Sequence, residues 1–226
     1  RVLALGPSSG YGVGFITAGG GNFLAAYLGA NALLNREHVE QNHHLIARAD
    51  WVVAQFEIPD SVILHAFRWA RHYGKSTYLN PSPWRGMDDE LLALTDVLVV
   101  NATEARLMFN QSDRDTLTRD EWLESLPTLS KEMGWKGKLL VVTLAEAGCV
   151  AIDETGEVLI QPAYPVHQVD ATGAGDAFGA GLVWSLLRGL PVSEALRIAN
   201  VCGALVAARQ GIFDGLPRQI ELAALM

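Results

Sequence analysis

DATGAGDAF, residues 170–178, is the stretch of this 226-residue sequence that most clearly indicates its fold. Gly173 and Gly175 would allow backbone N–H groups to approach a ligand closely. The apolar run 177–187 predicts a helix directly behind them, and a helix N-terminus favours negative charge through its unpaired amides and its dipole. The stretch therefore predicts an anion-binding loop. Because like charges repel, Asp176 is expected to accept a proton rather than to bind the anion, and an ordinary helix N-cap is the alternative.

Upstream of this loop, short β-rich runs alternate with helical stretches. The runs are continuously apolar, as parallel strands covered on both faces are. They are WVVAQ (51–55), STYLN (76–80), DVLVV (96–100) and KLLVVT (138–143). Helices are expected over 36–49, 60–73, 118–133, 175–188 and 191–209. The alternation predicts an α/β fold with helices on both faces of a mostly parallel sheet.

Residues 1–34 have a different composition. They are rich in glycine, and the apolar runs GVGFI and NFLAAYL flank residues 17–21, which predicts a β-hairpin over 12–28 with a loose tip. We expect two parts in the chain: a β-hairpin lid and its return to the core over 1–34, and an α/β domain over 35–226. Because an exposed apolar edge invites self-association, a homodimer could form through the lid.

Charge and composition narrow the classes of partner. The 17 Lys and Arg residues are scattered and the formal net charge is −8, which argues against binding to a nucleic-acid backbone. No apolar run approaches the roughly 18 residues needed to cross a bilayer, and the first residues lack the pattern of a secretory signal. We therefore expect no nucleic acid or membrane partner, a cytoplasmic location and small-molecule ligands. Cys149 and Cys202 are far apart in sequence and are expected to be buried thiols.

Two known nucleotide-binding patterns do not fit this sequence. Gly173, Gly175 and Gly179 echo a dinucleotide-binding fingerprint, but that fingerprint follows the first strand of a βαβ unit, whereas these glycines precede two successive predicted helices. The sequence has no G-x-x-x-x-G-K-[ST] motif. A dinucleotide-dependent oxidoreductase and a P-loop kinase are therefore both disfavoured.

DATGAGDAF also resembles the signature of the ribokinase family of carbohydrate kinases, the PfkB-type sugar kinases. The resemblance extends, in order and at matching spacing, along essentially the whole chain. The matching segments are Gly29-Ala-Asn31, Glu57 after its strand, Leu79-Asn-Pro-Ser-Pro83, Asn101-x-x-Glu104, 143–148 and 200–217. The resemblance implies a three-layer α/β/α ribokinase-like fold with a small β lid, in which the lid and the sheet are incomplete at the N-terminus. By this resemblance 1–34 are a lid remnant, and 35–226 are the nucleotide-binding and catalytic domain. It also implies an ATP-dependent transfer of a phosphoryl group to a sugar hydroxyl.

The resemblance assigns the chemistry to the same glycine-rich loop. In the family an aspartate on the helix takes the proton from the sugar hydroxyl, and the matching residue is Asp176. The amides of Gly173, Ala174 and Gly175 would meet the transferring phosphoryl group. Glu57 matches a residue that, together with the aspartate, binds the substrate hydroxyls. A surface glutamate at a strand end is the alternative for Glu57.

Nucleotide-binding residues are implied at three other places. Asn101 would lie near the ATP phosphates and Glu104 would hold magnesium through water, although Asn-x-x-Glu is also the capping box that starts a helix over 102–109. Asn200 matches a residue beside the adenine, and a locally satisfied buried amide is the alternative. The family's T-L-G-x-x-G turn is matched except at Ala145. The nucleotide set implied by the resemblance is Asn101, Glu104, Thr143, Leu144, Ala145, Glu146, Ala147, Gly148, Gly175, Asp176 and Asn200.

A monovalent-cation site is implied beside the anion-binding loop. Asp170 and Thr172 match two of its ligands. The remaining ligands are backbone carbonyls, at positions that match Val206, Arg209, Gly211 and Gly215. Carbonyl ligands do not depend on the side chain, so this match rests on spacing. The ion that the resemblance implies is potassium.

The sugar-binding half of the family pattern is only partly present. Family members have a first strand, a lid segment and a Gly-Gly-x-x-x-Asn motif ahead of the position that resembles Arg1, so we expect these parts to be missing from the chain, and 19–22 is not that motif. Residues 29–31 and 79–83 are most similar to the members that phosphorylate ribose, so ribose is the expected substrate. Another sugar or a nucleoside is one alternative, and a kinase remnant without full activity is another.

Overall fold

The computed structural model of the chain describes residues 4–6, 8–16, 22–111 and 117–225. Its strands are β1 (Tyr11–Ile16), β2 (Asn22–Tyr27), β3 (Trp51–Gln55), β4 (Ser76–Asn80), β5 (Val97–Asn101), β6 (Leu139–Thr143), β7 (Cys149–Asp153) and β8 (Val158–Gln161). Its helices are α1 (Arg36–Glu40), α2 (His43–Arg48), α3 (Asp60–His72), α4 (Asp89–Ala93), α5 (Ala102–Met108), α6 (Arg119–Glu132), α7 (Ala174–Leu187), α8 (Val192–Ala207), α9 (Ile212–Gly215) and α10 (Gln219–Leu225). Single 3₁₀ turns span Gly29–Leu33 and Ala145–Ala147.

Within these residues, β3 to β8 form a six-stranded sheet whose strands follow one another in sequence order. β3 to β6 are parallel, and β7 and β8 are added antiparallel. The predicted, mostly parallel sheet is confirmed, and its four predicted strands lie where they were expected. β7 and β8 were not predicted. They are joined by a turn in which Asp153 Oδ1 accepts hydrogen bonds from the N–H groups of Thr155 and Glu157 at 2.9 and 3.0 Å.

Two separate cores lie on the two faces of this sheet. One contains Leu79, Leu98 and Leu140 with Phe67 of α3 and Trp122 of α6. The other contains Tyr78, Val99 and Val141 with Phe178 of α7 and Leu196 of α8. Because neighbouring residues of a strand point to opposite faces, each strand contributes to both cores and the sheet is covered by helices on both sides. The predicted three-layer α/β/α fold is confirmed.

β1 and β2 pair antiparallel in a sheet of their own. The hairpin predicted over 12–28 is confirmed, and its predicted tip, 17–21, lies outside the described residues. Tyr11 and Tyr27 are partners at the open end of the hairpin, and their side chains are 63% and 52% exposed. The division of the chain into a lid and a catalytic domain stays a prediction.

The single helix predicted over 36–49 is wrong, because the structure divides it into α1 and α2 at residues 41–42. The Asn42 side-chain amide donates to His38 O at 2.7 Å. That carbonyl would otherwise accept from the Asn42 N–H in a continuous helix, and the N–H donates to Val39 O instead at 3.0 Å. Asparagine side chains compete with the helix backbone in this way.

Cys149 and Cys202 are buried free thiols, as predicted. Burial raises the pKa of each thiol to about 11. In the part of the chain that the structure describes, no helix has both the length and the apolar composition needed to span a membrane. The cellular location stays a prediction.

Candidate active site at the carboxyl ends of the strands

Polar side chains mark the carboxyl ends of four neighbouring parallel strands. Gln55 ends β3 opposite Asn80 at the end of β4, and Asn101 ends β5 opposite Thr143 at the end of β6. Because the strands are parallel, these ends meet at one edge of the sheet, which is where α/β folds bind ligands. The N-terminus of α7 reaches the same edge, since Gln55 contacts Asp176 there.

Asp176 is the third residue of α7, and its side chain is exposed. The helix starts after Gly173, which is the N-cap with a left-handed φ of 81°, and no side chain caps the first turn. The alternative in which Asp176 is an ordinary N-cap is therefore wrong. Asp176 Oδ1 instead accepts a hydrogen bond from Gln55 Nε2 at 2.8 Å. The carboxylate thus faces the strand ends rather than its own helix.

The loop ahead of α7 presents unpaired amides. The Ala174 N–H donates to Ala171 O at 3.1 Å, whereas the N–H groups of Gly173 and Gly175 donate to no protein group among the described residues. A Cβ at Gly175 would meet no atom within 4 Å, so there is space for a ligand over this turn. Two free amides at the N-terminus of a 14-residue helix form the arrangement that binds anions. Of the three predicted amides, that of Ala174 is already used.

A buried phenol lies close enough to two candidate carboxylates of this edge for both to act on its pKa. Tyr78 is 4% exposed, and a Cβ built on Gly179 of α7 would lie 2.2 Å from its hydroxyl oxygen. Burial raises the pKa of Tyr78 above its ordinary range, and the carboxylates of Asp176 and Glu104 raise it further. The absence of a side chain at Gly179 thus lets α7 approach β4 and places Asp176 at the strand ends.

Asn101 and Glu104 form a complete capping box at the start of α5. Asn101 Oδ1 accepts from the Glu104 N–H at 2.8 Å, and Glu104 Oε2 accepts from the Asn101 N–H at 2.9 Å. Glu104 is 5% exposed, and Asn101 is exposed at the strand end. The structure therefore confirms the alternative in which these two residues cap the start of a helix. It does not exclude a magnesium role, which stays a prediction.

The turn after β6 has a backbone that suits glycine at two positions. Ala145 has a φ of 50°, a left-handed conformation that costs an L-residue about 1–2 kcal/mol. This explains why the family's pattern has glycine where this chain has alanine. Gly148 has a φ of 90°, and a Cβ there would lie 2.1 Å from Gln161 O, so the turn packs directly on the end of β8. Ala145 and Glu146 are exposed, and Thr143, Leu144 and Ala147 are half-buried.

A cavity of about 200 Å³ lies beside Asn200 on α8. It is lined by residues 161–165 on one side and by Arg197, Asn200 and Val201 on the other. The Asn200 amide nitrogen donates to Leu196 O at 3.0 Å and to Cys149 Sγ at 3.3 Å. The alternative of a locally satisfied amide therefore holds for its two N–H groups, and its carbonyl oxygen is the group that remains to bind a ligand.

The two segments predicted to hold a monovalent cation lie side by side. The N–H groups of Val169 and Asp170 both donate to Ala207 O, at 2.7 and 3.1 Å. The Thr172 N–H donates to Asp170 Oδ1 at 2.9 Å, and hydrogen bonding from Thr172 lowers the pKa of the Asp170 carboxyl. Three of the predicted carbonyl ligands also accept protein hydrogen bonds: Val206 O from the Arg209 N–H, Gly211 O from the Gly215 N–H and Gly215 O from the Arg209 guanidinium. A carbonyl oxygen has a second lone pair, so these bonds leave each one able to bind a cation.

The sequence profile of the pfkB family carbohydrate kinases matches residues 10–219. The chain belongs to this family. The match includes every residue proposed above for the site, and it confirms the resemblance identified from residues 170–178.

Relatives of this pfkB family chain include ribokinases. The ribokinase of Staphylococcus aureus is 32% identical over 209 residues, which are 91% of this chain and 66% of that protein. The ribokinase of Haemophilus influenzae is 29% identical over 201 residues, which are 88% of this chain and 63% of that protein. The chain therefore spans a little under two thirds of the length of these curated relatives. The solved structure of a ribokinase from Thermotoga maritima superposes with a TM-score of 0.78 at 25% identity, covering 95% of this chain and 68% of that one.

The sugar-side candidate Glu57 follows β3 at the carboxyl end of the sheet. Its side chain is exposed, two residues beyond Gln55, and within the described residues it makes no hydrogen bond or ion pair. The backbone around it is held from the loop after β4, because the Arg85 guanidinium donates to Phe56 O and, at 2.7 Å, to Ile58 O. The structure therefore orders the backbone at Glu57 just beyond the end of β3, and its role in binding sugar hydroxyls stays a prediction.

Sequence reasoning missed Gln55 and Tyr78 as members of the site. A polar residue at the carboxyl end of an apolar parallel strand indicates the edge of the sheet where ligands bind, and Gln55 is such a residue. Its partner Asp176 is 121 positions away, so no spacing pattern could have joined them. Tyr78 carried no signal, because a tyrosine within a buried strand is usually a core residue.

Proposed function

We propose that this pfkB family protein catalyses the ATP-dependent phosphorylation of a sugar hydroxyl, with ribose as the first substrate to test. One observation supports this most directly: the Asp176 carboxylate and the free Gly173 and Gly175 amides share one helix N-terminus at the ligand edge of the sheet. A proton acceptor and an anion-binding loop are the two parts that transfer of a phosphoryl group to an alcohol requires. The likeness to ribokinases from two bacteria supports ribose.

Asp176 would act as the general base. Gln55 occupies Oδ1, so Oδ2 is the oxygen available to accept the proton of a sugar hydroxyl. As the hydroxyl oxygen becomes bonded to phosphorus, its proton passes to this carboxylate and the bond to the leaving nucleoside diphosphate breaks. The amides of Gly173 and Gly175 would stabilise negative charge on the phosphoryl oxygens during the transfer. ATP, when bound, supplies the phosphoryl group.

The residues present fit a nucleotide with magnesium. The cavity beside Asn200 offers a side-chain carbonyl oxygen that can accept from the amino group of adenine, since the Asn200 N–H groups are already used. Gly148, the last residue of the turn 143–148, packs on the backbone of 161–163, which lines this cavity. Glu104 supplies a carboxylate oxygen, the type of ligand that magnesium prefers, either directly or through water.

The cation segment fits potassium in the same sense. The bonds to Ala207 O hold Asp170 beside the carbonyls of 206–215, and hydrogen bonding from Thr172 stabilises the charged form of Asp170, which lowers its pKa. An ion there would join the loop before α7 to the end of α8 and so order the anion-binding amides. We include magnesium and potassium in the proposal on these grounds. The cytoplasmic location and the homodimer through the β1–β2 hairpin are part of the proposal as predictions from the sequence.

The decisive variant is Asp176→Asn in the full-length protein. We expect turnover with ATP and ribose to fall by about 10²–10⁴-fold, the usual effect of losing a general base, while ATP affinity and melting temperature change little. The fold should survive because Asp176 caps nothing, and an asparagine oxygen can still accept from Gln55. Asp120→Asn is the matched control, since Asp120 is also in the first turn of a helix but on α6, which packs on the opposite face of the sheet. Turnover above about a tenth of wild type would refute the base assignment.

The substrate and the remnant alternative are tested by binding and turnover together. Calorimetric titration with ATP and with ribose separately should show both ligands binding if the protein is a complete sugar kinase. Binding of ATP without any sugar would instead support a remnant. Turnover measured against ribose, fructose, deoxyribose and adenosine would then decide between ribose, another sugar and a nucleoside.

A further inference from the structure

Gln55 joins the candidate base to the interior of the sheet. Its side-chain nitrogen Nε2 lies 2.8 Å from Asp176 Oδ1 and 3.2 Å from Asn80 Oδ1. Gln55 is half-buried at the end of β3, and Asn80 is half-buried at the end of β4 directly opposite. The three side chains therefore form a chain of hydrogen bonds that runs from the sheet to the exposed carboxylate.

The direction of each bond in this chain follows from one backbone group. Asn80 Nδ2 donates to Val99 O at 2.9 Å, and a backbone carbonyl can only accept, so the Asn80 amide has its nitrogen toward β5 and its oxygen toward Gln55. An amide oxygen also only accepts, so Gln55 must present its NH₂ group to Asn80. That group has two hydrogens, and the second one donates to Asp176. The orientation of the two amides is thus set by Val99 O rather than chosen freely.

This chain of hydrogen bonds restricts the side-chain rotamer of Asp176. Its side chain is exposed on the first turn of α7, and the bond from Gln55 is its one hydrogen bond within the described residues. Without that bond an exposed aspartate would populate several rotamers. With it, Oδ1 is fixed at the strand ends and Oδ2 faces away from Gln55, where a substrate hydroxyl could reach it.

We propose that Gln55 is a positioning residue for Asp176, with Asn80 as its anchor. The inference rests on the proposed function, because it assigns Gln55 a role in the proton transfer to Asp176. Gln55 itself touches neither the proton nor the phosphoryl group. A neutral amide suits this role, because it orients the carboxylate without placing a positive charge that would compete with the substrate hydroxyl.

The test is a double-variant comparison in the full-length protein. Gln55→Leu removes the donor at similar size, and we expect kcat to fall by about 10–100-fold, the scale of a misplaced reacting group, while the KM values for ATP and sugar change little. In an Asp176→Asn background the same substitution should have no further effect on kcat, because the base that Gln55 positions is already absent even though the asparagine can still accept its hydrogen bond. Gln111→Leu is the matched control: Gln111 is also half-buried and donates to a backbone oxygen, at 3.3 Å, outside the site.

The outcomes separate this inference from the proposed function. If Gln55→Leu loses kcat equally in both backgrounds, its effect does not pass through Asp176 and the positioning role is refuted while the kinase activity stands. Wild-type kcat in Gln55→Leu refutes it in the same way. If the wild-type protein transfers no phosphoryl group to any sugar or nucleoside, both fall together. Should Gln55→Leu fail to fold, Gln55→Met, which is unbranched and also lacks a donor, replaces it with the same expected result.

Discussion

Replacing Gly179 by alanine should destabilise the protein although it improves the helix propensity of α7. A methyl group there would lie 2.2 Å from the Tyr78 hydroxyl oxygen, far inside van der Waals contact, and Tyr78 is buried and cannot swing away. Overpacking of this kind costs about 1–3 kcal/mol. The gain from removing a helical glycine is about 0.5–1 kcal/mol. The net expectation is a loss of up to about 2.5 kcal/mol, or a melting temperature lower by up to about 10 °C.

A second substitution isolates the cause of that loss. Tyr78→Phe removes the clashing oxygen, so the nearest atom to the new methyl becomes Cζ at 3.0 Å. We therefore expect the double variant Gly179→Ala, Tyr78→Phe to regain most of the lost stability, with a coupling of about 0.5–3 kcal/mol between the two sites. Melting temperatures by calorimetry or fluorescence give this comparison directly.

Gly175→Ala is the matched control on the same helix. A Cβ at Gly175 would meet nothing within 4 Å, so this substitution should raise stability by about 0.4–1 kcal/mol through the unfolded state alone. The two glycine substitutions on α7 should thus have opposite signs. A Gly179→Ala protein that melts at or above the wild-type temperature would show that α7 does not pack on Tyr78 in this way.

Four further predictions concern other parts of the molecule. Ala145→Gly should stabilise the protein by up to about 1.5 kcal/mol, because it relieves a left-handed alanine at the smaller entropic cost of a glycine, and a thermal melt checks the sign. Turnover should be higher in potassium than in sodium or tetramethylammonium, and equal rates in all three would remove the cation site. Amide exchange should be much faster in the exposed β1–β2 hairpin than in the buried strand β5, and equal protection would contradict a mobile lid. Burial raises the pKa of Cys149 and Cys202 to about 11 from an ordinary value of 9.0, so the folded state keeps protons that the unfolded chain releases, and stability should fall as pH rises through that window. Denaturant unfolding at about pH 8 and about pH 10 should show a smaller fall in a variant with both thiols replaced by alanine.

The parallel half of the sheet could be predicted because its strands are apolar along their whole length. β7 and β8 were not predicted because their apolar runs are only four and three residues long. The residues 153–156 between them fit an Asx-type turn, but this turn was not used to join the two runs into a hairpin. The break between α1 and α2 depends on the hydrogen bond from the Asn42 side chain to His38 O. The periodicity of apolar residues carries no information about that bond.

The candidate site was predictable where one local segment supplies both backbone and side chain. The loop 173–175 and Asp176 are of this kind, as is the pair Asn101 and Glu104. Contacts between distant segments were not predictable: Gln55 meets Asp176, and Gly179 meets Tyr78, only because α7 crosses the ends of β3 and β4. The use of both Asn200 N–H groups by the protein also depends on packing rather than on sequence spacing.

The capping box at the start of α5 bears on how this family would lose activity over time. Removing such a cap costs about 0.5–2 kcal/mol, so selection for a stable fold would retain Asn101 and Glu104 in a descendant that no longer phosphorylates anything. Asp176 makes no hydrogen bond to its own helix, so the fold would not protect it from drift in the same way. An Asn-x-x-Glu motif in a distant homologue is therefore weak evidence that the homologue is an active enzyme. The aspartate at the position of Asp176 is the better marker, and a lineage in which it changes first while the capping pair persists would be the expected signature of a pseudoenzyme.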